Sequence, residues 1–234
     1  MSIKADSTIV TVADREIETA LRKRIAEVFP DHAILGEEEG LVGDRGGPMW
    51  VLDPIDGTNN FAAGIGVFGT LIALRVNGRT ELGVASAPAL GERYEAARGD
   101  GARMNGKPIS VSQVSDLSDA VVCFGSYRRM LRHGYGDAIE KILRACKRDR
   151  GYGDFWGHML VARGAVEAMA EPALSFWDVA ALEVIVEEAG GKMTTFAGKP
   201  YPESGEGDRS VLSTNSLLHD ALSSTLLNAK PATT

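Results

Sequence analysis

The 234-residue sequence predicts a mixed α+β fold, with α/β as the second reading, and three observations lead there. An amphipathic helical period near the start precedes a run of alternating apolar segments broken at Asn-Gly pairs. The second half then alternates short apolar runs with helix-like stretches. In order, Thr11 or Ala13 precedes a helix in which Ile17, Leu21, Ile25 and Val28 share one face, and Pro30 ends it. Ala33-Ile34-Leu35 reads as a short strand leading into the acidic cluster Glu37, Glu38 and Glu39. The glycine-rich stretch from Leu41 to Pro48 reads as a mobile loop. Trp50-Val51-Leu52 is a buried strand that breaks at Asp53-Pro54. Pro54 disfavours a helical Asp53, which places that acid at the strand's end.

Strands Val67–Val76 and Glu81–Ser86 flank Asn77-Gly78, and Tyr94–Arg98 and the Met104 region flank a second turn at Asn105-Gly106. Residues 65–112 therefore read as an antiparallel meander. The polar, serine-rich stretch from Ser110 to Ser118 suggests a boundary, dividing the chain into subdomains 1–114 and 115–234. Beyond it come strand Val121–Phe124, a helix near Ile139–Cys146, and a helix from Phe155 to Arg163 stopped by Gly164. Strand Val166–Ala170 leads to an apolar helix begun at Asp178 and closed by Gly190-Gly191. Strands Lys192–Phe196 and Ser210–Ser213 and a helix Leu217–Leu227 follow, with a polar, fraying tail from Asn228.

Bulk properties narrow the function. A formal net charge of −7 argues against a nucleic-acid partner, because neutralising phosphates needs a basic surface. A small phosphorylated substrate stays open if metal ions supply positive charge locally. Cys123 and Cys146 have neither metal-ligand spacing nor a disulfide framework, and read as buried free thiols in a reducing compartment. No run approaches 18 apolar residues and the first residues have no apolar core. A cytoplasmic protein without membrane contact is therefore expected.

The chemistry concentrates in Trp50-Val51-Leu52-Asp53-Pro54-Ile55-Asp56-Gly57-Thr58-Asn59-Asn60-Phe61. Two carboxylates at i and i+3, a carbonyl, a hydroxyl and helix-start amides meet around one turn. Hard cations bind such oxygens and a phosphate binds the amides. Gly57 permits close backbone approach and Thr58 can open a helix. Alone, Asp53-x-x-Asp56 would be a surface turn. With Gly36-Glu37-Glu38 upstream and Ser175-Phe176-Trp177-Asp178-Val179-Ala180-Ala181 downstream, it resembles the inositol-monophosphatase-like family of metal-dependent phosphatases, over about Lys4 to His219.

The resemblance implies a layered α-β-α-β-α sandwich, two and possibly three Mg²⁺ ions, and a homodimer. It implies that Glu37, Asp53 and the carbonyl of Ile55 hold one ion, and that Asp53, Asp56 and Asp178 hold another. Glu37 and Thr58 would orient the attacking water, with Asp14 of Thr11-Val12-Ala13-Asp14 polarising Thr58. The amides of Gly57 and Thr58 would grip the phosphate. Asp178 also fits an ordinary helix N-terminal position, and both roles are compatible. The lack of histidine or cysteine clusters at metal spacing argues against Zn²⁺.

Within the family, Gly153-Asp154-Phe155-Trp156, followed by a helix and then Gly164-Ala165-Val166-Glu167 and Glu171, looks more like the histidinol-phosphatase branch than like typical inositol monophosphatases. Histidinol phosphate carries an ammonium and an imidazole, so an added carboxylate at Asp154 suits it. Asp154 could equally be the N-cap of the helix beginning at Phe155. Glu171 would contact the substrate and Arg150 could join the pocket. His158 reads as packing or surface, and His32, His133 and His219 carry no signal. The leading expectation is hydrolysis of L-histidinol phosphate in histidine biosynthesis. The alternatives are an inositol or sugar phosphatase, and a metal-binding scaffold without catalysis. Family members commonly begin with a helix of some two dozen residues before the segment matching Lys4–Thr8. The expectation here is exposed apolar surface with weakened stability or an altered subunit contact.

Overall fold

The computed structural model describes residues 2–3 and 9–228. The expectations for Lys4–Thr8 and for the tail beyond Asn228 lie outside the described residues. Two sheets and three helical layers alternate, as the α-β-α-β-α reading requires. The larger sheet has eight strands in the order β10-β9-β8-β7-β6-β5-β3-β4: β3 (Ala33–Gly36), β4 (Gly40–Val42), β5 (Met49–Asp56), β6 (Gly69–Val76), β7 (Arg79–Ala87), β8 (Glu92–Ala97), β9 (Gly101–Met104) and β10 (Lys107–Pro108). Only the β3–β5 pair is parallel. The meander forms because Asn77 and Gly78, and again Asn105 and Gly106, all take positive φ, the twist a two-residue hairpin turn needs. A separate short ribbon pairs β1 (Ser2–Ile3) with β2 (Ile9–Val10).

The smaller sheet runs β12-β11-β13-β15-β14, built from β11 (Val121–Phe124), β12 (Arg148–Arg150), β13 (Ala168–Glu171), β14 (Lys192–Thr194) and β15 (Val211–Thr214). Between the sheets lie α5 (Asp154–Ala162) and α6 (Phe176–Glu188), whose apolar residues form one continuous core with both. The outer face of the smaller sheet packs on α3 (Tyr127–Arg132), α4 (Gly136–Ala145) and α7 (His219–Leu227) through Met130, Ile139, Ile142, Leu222 and Leu226. The larger sheet carries α1 (Val12–Val28) on its other face, where Ile25 meets Ile34 and Leu52.

Several expectations are corrected. Leu41 and Val42 belong to an edge strand: Gly40–Val42 pairs antiparallel with Ile34–Gly36, so the loop is shorter than its glycines suggest. The α3 helix and strand β12 are additional elements, too short to show a period. The face that α1 buries is charged, with Asp14, Glu18 and Arg22 beside Ile25, while Val28 is exposed. Cys123 is buried and its thiol is pushed up to about 12 by desolvation, whereas Cys146 is only half-buried; both are free. Among the described residues, no helix is long and apolar enough to cross a membrane.

Two histidines are structural. His219 exchanges hydrogen bonds with the hydroxyls of Thr194 and Thr214, both at 3.0 Å, and burial lowers its pKa to about 4. His158 pairs with Ser213 at 2.7 Å and burial lowers its pKa to about 3. Unfolded histidine titrates near 6.5. Both residues must therefore take up a proton on unfolding between their folded pKa and about 6.5. Their contribution is complete above about pH 6.5 and shrinks as pH falls below it, by up to ~1.4 kcal/mol per pH unit for each. Urea unfolding of the wild type and of His219→Gln between pH 4.5 and 7 should give a steeper pH slope for the wild type. Equal slopes would contradict this assignment.

Candidate active site

The site forms where the larger sheet meets the N-terminus of α6. Side chains alternate along a regular strand, so residues at i and i+3 would point to opposite faces. In β5 they do not, because the register slips between Asp53 and Asp56: Asp53 faces Leu71 and Asp56 faces Gly69 on β6. Three steps on one strand thus match two on the other, a β-bulge that re-aims both acids. Pro54 does not end the strand, as its sequence position suggests. It occupies the bulge, where its missing N–H breaks no ladder, and its carbonyl accepts from the Thr70 hydroxyl at 2.8 Å.

The Asp178 carboxylate arrives from the first turn of α6. It accepts the Ser175 backbone N–H at 2.8 Å, so it caps its helix and reaches the cleft together. One oxygen each from Asp53, Asp56 and Asp178 lie within 4.8 Å of one another. Burial pushes the pKa of all three up, that of Asp178 to about 7, and neighbouring carboxylates add to it: Asp56, Glu37 and Asp178 at Asp53, Asp154 and Asp178 at Asp56, and Glu37 at Asp178. Oδ1 of Asp53 is buried without a hydrogen-bond partner. An all-oxygen, over-charged cluster with an orphaned buried acceptor fits a hard divalent cation such as Mg²⁺. Glu37 lies within hydrogen-bonding reach of Asp53, and Ile55 lines the same cleft.

Gly57 precedes the short helix α2 (Thr58–Ala62) with φ of 80°, and a Cβ there would come within 3.0 Å of the Val67 carbonyl. Only glycine fits this position without strain. The Thr58 hydroxyl donates to the Ile55 carbonyl at 2.9 Å and reaches Oδ1 of Asp14 at 3.4 Å. Oδ2 of Asp14 is held by the amide and hydroxyl of Thr11 at 2.7 and 2.6 Å. Asp14 is therefore both the N3 partner of a capping box and a neighbour of the site threonine.

This cavity, about 140 Å³, opens into a second of about 540 Å³, and Asn59, Arg129, Asp154 and Glu171 line both. Asp154 is not the N-cap of α5. That position is Gly153, and the Phe155 N–H is instead accepted by Asp56 at 2.6 Å, so an acid of the cluster caps the neighbouring helix. Asp154 itself sits at φ of 55°, and its carboxylate accepts from Asn60 at 3.0 Å. Glu171 is buried, with Oε2 unpartnered and its pKa raised to about 8 by desolvation and by Asp154. Arg129 lies 3.6 Å from Glu171. Arg150 lines neither cavity and donates to the Asp149 carbonyl at 2.6 Å, so Arg129 takes the place expected for it. His158 does line the first cavity, with Nε2 unpartnered. Tyr152 and Trp156, with ring centroids 5.0 Å apart, wall the second. Arg129 was missed because it stands beside no acidic motif, and Asn60, although it lies within the Trp50–Phe61 stretch, because its partner Asp154 is 94 residues away in sequence.

Comparison with known proteins gives the family and the fold. The sequence profile of the inositol monophosphatase family matches residues 2–230. A histidinol-phosphatase of Mycobacterium tuberculosis is 43% identical over 233 residues, covering 97% of this chain and 87% of that protein. One from Chlorobaculum parvum is 42% identical, covering 87% and 79%. Among solved structures, an inositol monophosphatase from Anabaena superposes with a TM-score of 0.86 at 34% identity, covering 95% of this chain and 89% of that one. The Asp53–Asp56 bulge, Thr58 and Asp178 thus sit in a fold and sequence of one kind, and the chain belongs to the inositol monophosphatase family.

Proposed function

We propose that the protein is a Mg²⁺-dependent phosphatase that hydrolyses L-histidinol phosphate to L-histidinol and phosphate, a step of histidine biosynthesis. The observation that carries the substrate choice is the pair of acids, half-buried Asp154 and buried Glu171, at the junction of the two cavities. A cation is the natural partner of such a pair, and the aromatic wall of Tyr152 and Trp156 suits an imidazole. The histidinol-phosphatases among the relatives point the same way.

Glu37, Asp53 and the Ile55 carbonyl would hold one ion, and Asp53, Asp56 and Asp178 a second, with Asp53 shared. When bound, two such ions lower the pKa of a water and offset charge on the leaving oxygen. The protein's own part is positional. Thr58 and Glu37 orient the water, and Thr58 can pass a hydrogen bond to Asp14, whose other oxygen is fixed by Thr11. The amides of Gly57 and Thr58 face the phosphoryl oxygens. Asp154 and Glu171 hold the ammonium end, and Asn60 keeps Asp154 in place with one N–H while donating the other to the Val67 carbonyl at 2.8 Å.

The test is kcat/KM with Mg²⁺ for L-histidinol phosphate and inositol 1-phosphate, on the wild type and on Asp154→Ala. A charge-assisted hydrogen bond contributes ~1.5–3 kcal/mol. Across both acids, a preference of about a hundredfold or more for histidinol phosphate is expected, most of it lost in the variant. Equal rates on the two esters would instead describe a general sugar phosphatase.

A further inference from the structure

One stripe of α1 carries three buried charged residues at i, i+4 and i+8: Asp14, Glu18 and Arg22. Surface helices usually turn such residues outward. Here each binds the back of the site. Asp14 reaches the Thr58 hydroxyl at 3.4 Å. Glu18 accepts the backbone N–H of Glu38 at 2.8 Å with one oxygen and that of Glu39 at 3.0 Å with the other. Arg22 donates Nε to Glu18 at 2.8 Å, and its two terminal nitrogens reach the carbonyls of Ile34 at 3.4 Å and Gly40 at 2.5 Å. Gly36 on β3 lacks a side chain where Glu18 stands: a Cβ there would collide with the Glu18 carboxylate.

The turn that Glu18 and Arg22 clamp carries Glu37, and the helix that clamps it also carries the partner of Thr58. Glu37 follows β3 and Thr58 opens α2. Strand β5 meets both, its Leu52 carbonyl accepting the Glu37 N–H at 3.2 Å and its Ile55 carbonyl the Thr58 hydroxyl at 2.9 Å, and α1 backs the same two residues through the 38–40 turn and the Thr58 side chain. We propose that the Glu18–Arg22 pair is a positioning device that holds Glu37 in register with Thr58 across the cleft, and so acts on turnover through the backbone of Glu38 and Glu39. This rests on the reading that Glu37 and Thr58 orient the attacking water.

Glu18→Gln tests it, because glutamine keeps the volume and one acceptor but turns an amide N–H₂ toward one of the two backbone donors. A misplacement of about 1 Å at a reacting group costs about a hundredfold. The expected result is a fall in kcat of about 10- to 100-fold with KM for the phosphate ester changed less than about threefold. Calorimetric Mg²⁺ binding, measured without substrate, should weaken as well. In a cycle with Thr58→Ala, the double variant should lose far less than the product of the two single losses. Losses that multiply, or a lower melting temperature with unchanged kcat, would overturn the proposal. If Glu18→Gln does not fold, Arg22→Lys, which keeps the charge but not the fork, is read in the same cycle. Full activity in Thr58→Ala would defeat the water-orienting reading itself. An inactive Thr58→Ala beside a Glu18→Gln of wild-type kcat would defeat the clamp alone.

Discussion

Replacing Asp53 by Asn is expected to abolish turnover and, in the absence of metal, to make the protein more stable. Asp53 is the central acid of the cluster, buried, with one oxygen unpartnered and its pKa raised by desolvation and by Asp56, Glu37 and Asp178. A carboxylate whose folded pKa lies above its unfolded value stabilises the fold only at low pH. That contribution is lost as pH rises through the folded pKa, so at neutral pH the charge opposes folding. Removing it should raise the metal-free melting temperature by about 4–8 °C, taking ~2 kcal/mol for an uncompensated buried group. In the wild type, Mg²⁺ at about 100 times its Kd should itself add ~2.7 kcal/mol. The variant should show almost none of that shift and a rate at least about a thousandfold lower. Melting curves with and without Mg²⁺ decide the matter. A destabilised metal-free Asp53→Asn would mean that the carboxylate is satisfied by the protein alone.

Glu171→Gln should have the next largest effect, and mainly on the cationic ester. The acid sits at about 8 before any cation arrives, because burial and Asp154 outweigh Arg129. Binding an ammonium favours the ionised form, so below pH 8 binding should release a proton, measurable by calorimetry in buffers of different ionisation enthalpy. kcat/KM for histidinol phosphate should climb with pH towards 8. The variant should lose that limb and about 10- to 100-fold in kcat/KM. Inositol 1-phosphate, held by hydroxyls that glutamine can still meet, should change by only a few-fold. An equal loss on both esters would place Glu171 at the phosphate instead.

The two predictions rest on features that were unequally legible. The acids of the Asp53–Asp56 turn, Thr58, Asp178 and Glu171 stand in local patterns, and the structure brings them to one cleft. The meander and its Asn-Gly turns were legible because positive φ at those residues is a local property. Other features were hidden. A periodic count assigned α1 an apolar face of Ile17, Leu21, Ile25 and Val28; Ile25 is buried and Leu21 packs beside it, but Val28 is exposed and the helix also buries Asp14, Glu18 and Arg22. Those charges are tolerated inside because their partners are backbone groups of residues 34–40 and the Thr58 hydroxyl, which no helical period encodes. Asp154 read equally well as a cap or as a pocket acid. Its left-handed backbone and the Asp56–Phe155 bond, which joins residues 99 apart in sequence, remove it from the cap position.

The sequence by itself determined which chemical groups the protein has for binding cations and phosphate, and the strands and turns that carry them, because those depend on neighbours within a few residues. The tertiary structure alone decided that the β5 bulge turns Asp53 and Asp56 to one side and that Arg129, rather than Arg150, stands at the junction of the cavities. It likewise decided that a charged helix face backs the site. Each of these depends on which distant segment supplies a hydrogen-bond partner or counter-charge, and that is set only when the layers pack.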